Sequence, residues 1–269
     1  MRPTLKASAL LVSLTLALPS AASAGSSGAA QPGRKAQKNR TAASVPVADA
    51  AVALPLYPAT TETITVPLVI ERFERFDRDL RTLSGAFRQS VRSDDTGQTQ
   101  AVAGTLAYRK KDRLRIEHLS PETQTLVCDG SRVWVWRPAN GQVIRSKLAQ
   151  WKTSQPLAQG LLDFGNYAEL LKRYDVALGT VSAPEADGHR SLALSLKPLG
   201  ESGRSGDFRL TLRLSTRDFF PFESELRVGG VCARTVFSDI RFNPELPETQ
   251  FQFSPPPGAD VLDFPTSPR

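Results

Sequence analysis

The chain is poor in the residues on which most enzyme chemistry depends. Its 269 residues include two cysteines, Cys128 and Cys232, and two histidines, His118 and His189. Neither histidine stands near a cysteine at ligand spacing, so no zinc site can be assembled from them. The two thiols could pair in an oxidising compartment, or remain two buried thiols, because both fall in strand-like segments. There is no G-x-S-x-G elbow and no glycine-rich phosphate loop. Glu117 and His118 are neighbours on a strand and so point to opposite faces. Catalysis is therefore not expected, and no cofactor or metal is called for. No basic helix is interleaved with aromatic residues, which argues against nucleic-acid binding. Beyond the N-terminal leader, no apolar run is long enough for a membrane helix.

The leader itself reads as a secretory signal over residues 1–24. Arg2 and Lys6 form its positive end, Leu10 to Leu18 its apolar stretch, and Ala22-Ser23-Ala24 a small-x-small cleavage site. No cysteine follows it to carry a lipid anchor, so the mature chain is expected to be exported, soluble and monomeric. Formal net charge is +7, of which Arg2 and Lys6 leave with the signal. Part of the remaining excess is the cluster Arg34, Lys35, Lys38 and Arg40, in a stretch rich in Ala, Gly, Pro and Ser. Residues 25–64 cannot bury enough apolar surface to fold and are read as a disordered spacer.

Order is expected from residue 65 to the end. Val69, Phe73, Phe76, Leu80 and Leu83 recur at intervals of three and four, one helical stripe, with Thr65 or Val66 near the cap and Pro67 in the first turn. The opposite side carries Arg72, Glu74, Arg75, Asp77, Arg78 and Arg81. Strand patterns follow. Phe87, Gln89 and Val91 share a face, as do Leu106 and Tyr108. Leu114 and Ile116 alternate with Arg113, Arg115 and Glu117, which predicts a sheet covered on one side only.

The stretch 123–143 is a meander signature. Leu126 and Cys128 alternate with Thr125 and Val127 before Asp129-Gly130. Val133-Trp134-Val135-Trp136 follows, and then Asn140-Gly141. Both glycine pairs tolerate positive φ and mark turns. Two of the three tryptophans, Trp134 and Trp136, fall on one face of the second strand. They are expected either to fill a β-core or to wall a cavity.

The pattern breaks between Ser146 and Tyr174. Residues 156–164, with Leu157, Leu161, Leu162 and Phe164, read as one short helix. Tyr167 to Arg173, with Leu170 and Leu171 and Asn166 as cap, reads as another. These short apolar pieces suit a lid, or a plug for one end of a barrel. Strand patterns then resume through Leu192-Leu194-Leu196, Phe208-Leu210-Leu212-Leu214 and Phe220 to Phe242, closing on Gln250 to Phe253. The expected architecture is mostly β with a helical lid. About 10 or 11 antiparallel strands form an incomplete barrel whose apolar cavity the helices cover.

From about Val69 to Asp263 the chain resembles the outer-membrane lipoprotein carrier family, the LolA-like periplasmic chaperones. The amphipathic helix precedes Phe87-Arg88-Gln89-Ser90-Val91, similar to the family's F-x-Q-x-V strand. Gly104-Thr105-Leu106 matches its G-x-L strand. Leu126-Val127-Cys128-Asp129-Gly130 with Val133-Trp134-Val135-Trp136, Pro138 and Gln142 is similar to its L-V-S-D-G, L-W-x-Y, P and Q run. Phe251-Gln252-Phe253-Ser254-Pro255-Pro256-Pro257-Gly258 is similar to its F-x-F-x-P-P-x-G close.

The resemblance implies a half-barrel that takes triacylated lipoproteins from an inner-membrane ABC transporter and passes them to an outer-membrane receptor. It implies Phe87, Val91, Leu106, Leu114, Ile116, Leu126, Trp134 and Trp136 as cavity walls. Leu157, Leu161, Leu162, Phe164, Leu170 and Leu171 would form the lid. Burying acyl carbon is worth roughly 0.8 kcal/mol per methylene, so such a carrier needs a large apolar hollow. The family often latches its lid with an arginine after the second strand. Here Lys110 and Lys111 stand there, leaving Lys110 or Arg113 as latch candidates. Cys128 in place of serine and the long spacer are further departures. A carrier of another lipid, such as a glycolipid or polyketide lipid, needs the same hollow. A lipid- or lipoprotein-sensing envelope-stress adaptor is the third alternative.

Overall fold

A computed structural model of the chain describes residues 56–59, 63–154, 164–199 and 208–263. The signal at 1–24, most of the 25–64 spacer, and Leu157, Leu161 and Leu162 lie outside the described residues.

Helix α1, Val66–Asp79, forms where the apolar stripe predicts it. Thr65 is its N-cap, with Oγ1 accepting from the Leu68 amide, and the proline sits in the first turn. The helix stops four residues short of Leu83, whose place is in the first strand. Side chains replace the missing turn. Lys110 Nζ donates to the Asp77 carbonyl at 2.7 Å and to that of Arg78 at 3.3 Å, while Asn243 Nδ2 donates to that of Asp79. Three terminal carbonyls are thereby satisfied.

The strands are β1 Thr82–Ser93, β2 Thr99–Arg109, β3 Arg113–Ser120, β4 Gln124–Asp129, β5 Arg132–Arg137 and β6 Gln142–Lys147. After the helical insert come β7 Tyr174–Val181, β8 Ser191–Pro198, β9 Arg209–Ser215, β10 Pro221–Val228, β11 Val231–Phe242 and β12 Asp260–Asp263. The insert contributes α2, Leu148–Ser154, and α3, Tyr167–Leu171. Among the described residues the strands make one open sheet in the order β12-β6-β5-β4-β3-β2-β1-β11-β10-β9-β8-β7. Two meanders are joined where β11 returns beside β1. Pairing is antiparallel except that β12 runs parallel to β6.

Twelve strands exceed the ten or eleven expected, and one expected strand is absent. Gln250 to Phe253 is not a strand: Glu248–Phe251 is a 3-10 turn followed by extended chain. Beyond Asn243, whose amide still bonds to the Thr82 carbonyl of β1, the segment to Phe253 lies as a strap across the back of the sheet. Arg109 donates to the Leu246 carbonyl, Arg113 pairs with Glu248, and Arg115 Nη1 donates to the Gln250 carbonyl. Phe251 is 1% exposed beneath it, and the Phe253 ring lies tilted against Trp134 at 5.9 Å between ring centroids. The expectation of a sheet covered on one side only therefore fails over β2 to β5.

Within the stretch read as spacer, Tyr57 is half-buried against the body. Its ring meets Phe219 edge-on at 5.5 Å, the Arg72 guanidinium lies 4.1 Å above it, and its amide donates to the Arg217 carbonyl.

Candidate functional site

Register sorts the side chains into two faces. Leu83, Tyr108, Leu114, Cys128 and Val133 stand opposite one another across β1 to β5. The next inward row is Gly85, Leu106, Ile116, Leu126, Val135 and Ile144. These rows join the leucines of β8 and β9 and the stripe of α1 in one apolar cluster. This is the concave floor.

Its roof is aromatic. Phe164 is fully buried and lies 5.6 Å from Tyr108 and 6.0 Å from Phe237. Tyr167 of α3 meets Phe73 and Phe76 of α1, and Phe76 meets Phe220 and Phe242. Leu170 and Leu171 are buried in the same cluster. Helices of seven and five residues are far too short to persist alone, so packing on this floor holds them.

Polar contacts bind the roof to the sheet. Asp77 Oδ2 accepts from the Ala168 amide in the first turn of α3 at 2.8 Å. The same end of α1 receives Lys110 from the β2–β3 turn, and Asp112 in that turn pairs with Lys152 of α2 at 2.7 Å. Lys110 thus reaches α1 directly and α3 through Asp77. Arg113 does not serve: it projects from the other face and pairs with Glu248 of the strap. Asn166, the expected side-chain cap of α3, makes no such bond to the helix.

Six of the eight expected wall residues share the concave face. Phe87, Leu106, Ile116 and Leu126 are buried there, Leu114 is half-buried, and Val91 is buried near the far end of β1. Trp134 and Trp136 do not belong with them. Trp134 stands opposite Val127, and Trp136 opposite Thr125 and Val143, so both lie on the convex face. Trp134 is covered by Phe253 and by the Arg145 guanidinium, which Asp263 grips at 2.8 and 3.0 Å. Period two groups the two tryptophans on one face, but it is not the cavity face that the resemblance implied, because Val133 and Val135 supply the inward row.

The two cysteines do not pair. Both are free thiols, on β4 and β11, with three strands between them. That is about 19 Å along the sheet, well beyond the roughly 7 Å that a disulfide spans between Cα atoms. Burial raises the Cys128 thiol to about 11.

One end of the concave face is polar. Gln89 Nε2 donates to Thr235 Oγ1 at 2.9 Å, and Ser224 stands opposite Thr235. On β3, His118 is 4% exposed, its ring edge-on to Phe87 at 5.8 Å. Gly104 lies between them. A Cβ there would stand 2.1 Å from the Glu117 carbonyl oxygen and 2.8 Å from the Phe87 ring, so only glycine lets the ring cross. Burial lowers His118 to about 4. Sequence reasoning found Gln89 as a strand residue but missed this polar end. Its one legible signal was a histidine and a glutamine at inward positions.

The family model for the outer membrane lipoprotein carrier protein LolA matches residues 78–254, from the end of α1 through the strap. The chain belongs to the LolA family. An outer-membrane lipoprotein carrier protein of Dechloromonas aromatica is 32% identical over 193 residues, covering 72% of this chain and 86% of that one. A protein of the same description from Halorhodospira halophila is 28% identical over 197 residues, covering 72% and 85%. Among solved structures, a LolA superfamily protein from Nitrosomonas europaea is 14% identical with a TM-score of 0.39, covering 71% of this chain and 99% of that one. The LolA match takes in Gly104, the concave rows and the strap alike, and within it Phe251 and Phe253 anchor the strap to the convex face.

Proposed function

We propose that this LolA-family chain shields the acyl chains of triacylated lipoproteins on its concave face while they cross the periplasm. In this reading it takes cargo from an inner-membrane ABC transporter and yields it to an outer-membrane receptor. The observation that carries the reading is the concave floor itself. Leu106, Leu114, Ile116 and Leu126 form continuous apolar rows, closed in part by Phe164 and Tyr167 of an insert whose helices are too short to stand alone. Apolar floor supplies affinity, at roughly 0.8 kcal/mol per buried methylene, and a weak roof supplies release. Phe164 fills the floor beside Tyr108 and Phe237, where an acyl chain would lie. Cargo entry then exchanges one apolar contact for another, and loading requires no exposed apolar intermediate. Lys110 is the latch in this scheme, through the end of α1.

Native mass spectrometry of the protein purified from its own periplasm, with extraction of the bound lipid, tests the reading. Triacylated lipoprotein bound one to one supports it. A glycolipid or other free lipid reassigns the cargo, and a folded protein that carries nothing apolar overturns it.

A further inference from the structure

The concave face carries a hydrogen-bond donor that the apolar account does not use. Arg137 Nε donates to Gln124 Oε1 at 3.0 Å, which fixes the orientation of that amide. Gln124 Nε2 therefore faces His118 Nδ1, at 3.5 Å. An amide nitrogen can only donate, so Nδ1 is the acceptor and the imidazole proton resides on Nε2. His118 Nε2 is buried and has no hydrogen-bond partner among the described residues. A buried donor left unmet is unfavourable, and a ligand offering an acceptor would relieve that penalty.

The surroundings say which acceptor. His118 lies at the boundary between the leucine and isoleucine rows and the polar end formed by Gln89, Thr235 and Ser224. An acyl chain lying along the rows would end at this boundary, where its ester or amide begins. Resting on the carrier reading above, we propose that His118 Nε2–H donates to the carbonyl oxygen joining an acyl chain to its head group, and that this contact sets the depth to which cargo enters. Burial keeps the imidazole neutral near pH 7, which suits a neutral carbonyl better than a carboxylate.

The test uses the full mature chain and two matched probes, palmitoyl glycerol and hexadecyl glycerol ether. They share chain and head group, but only the first has the carbonyl. Wild type is expected to bind the ester about fivefold more tightly, the effect of one hydrogen bond. His118→Phe is expected to keep the ether affinity and lose the ester preference, and His118→Gln, which restores a donor, to regain part of it. Equal binding of both probes by wild type, or an ester preference that survives in His118→Phe, overturns the assignment. A purely structural histidine would weaken both probes together, which also overturns it. If His118→Phe does not fold, proton–nitrogen NMR of the wild-type imidazole decides. With only two histidines the signal is assignable, and the Nε2–H resonance should shift with the ester and not with the ether. Identical responses to the two probes refute the site. Failure of wild type to bind either probe removes the carrier reading and this site with it, an outcome distinct from binding without ester preference.

Discussion

Removing the Phe251 ring separates the two faces of the sheet most cleanly. Phe251 is 1% exposed under the strap, with the Arg109 guanidinium 5.9 Å from its ring centroid. Truncating a buried phenylalanine to alanine costs about 3–5 kcal/mol, and the lost cation–π contact adds about 0.5–1 kcal/mol. The strap sits at the surface and can settle into part of the space, so the low end, about 3 kcal/mol, is expected for Phe251→Ala. For a domain of this size that lowers the melting midpoint by roughly 6–12 °C. Phe253→Ala, which removes a half-buried ring, should cost about half as much. Thermal unfolding followed by tryptophan fluorescence measures both, because Trp134 packs directly on Phe253. Cargo affinity of the folded fraction should not change. A midpoint within about 1 °C of wild type would refute the strap as part of the core. Loss of cargo affinity beyond the loss of folded protein would refute the separation of the faces.

Three further outcomes follow from the same geometry. The His118 pKa is lowered to about 4 from an ordinary 6.5, so as pH falls through that window the unfolded chain takes up a proton that the folded chain refuses. Wild type should therefore lose up to about 3 kcal/mol of stability between those limits, and His118→Phe should lose that much less; parallel slopes in urea titrations against pH would count against a buried neutral imidazole. Lys110→Met should weaken the end of α1 by about 1 kcal/mol and speed hydrogen exchange at the Ala168 amide, whereas Arg113→Met should leave that amide unchanged. Cys232, half-buried on β11, should label with a thiol reagent in the native protein while Cys128 resists until unfolding; a mass two hydrogens short of the reduced chain would instead reveal a disulfide.

Most of the sheet was legible because strand periodicity is strong. The alternations at Leu114-Ile116, Leu192-Leu194-Leu196 and Leu210-Leu212-Leu214 fall inward as their spacing requires. The stripe Val69, Phe73, Phe76 and Leu80 likewise gave α1. What failed was the choice of face at β5. Val133-Trp134-Val135-Trp136 is apolar on both sides, so periodicity groups its residues in pairs without saying which pair faces the core. The answer lay more than a hundred residues away, in a segment that crosses the convex face and that its β-forming residues had suggested was a strand. Pro247 and the run from Pro255 bracket that segment with residues that cannot donate to a ladder, which limits its extension as a central strand. The contact of Lys110 with the end of α1 was half legible: its place after β2 is read from the sequence, but its target carbonyls depend on where α1 stops.

The most direct test of the concave face as the cargo site is site-specific photo-crosslinking in cells. A photoreactive phenylalanine analogue replaces Leu114 or Phe237, both half-buried on the concave side, or Trp136 or Arg88 on the convex side. Crosslinks to acylated lipoprotein are expected from the first pair and not from the second. Equal crosslinking from both faces, or crosslinking from Trp136 and Arg88 alone, would contradict the assignment of cargo to the concave floor.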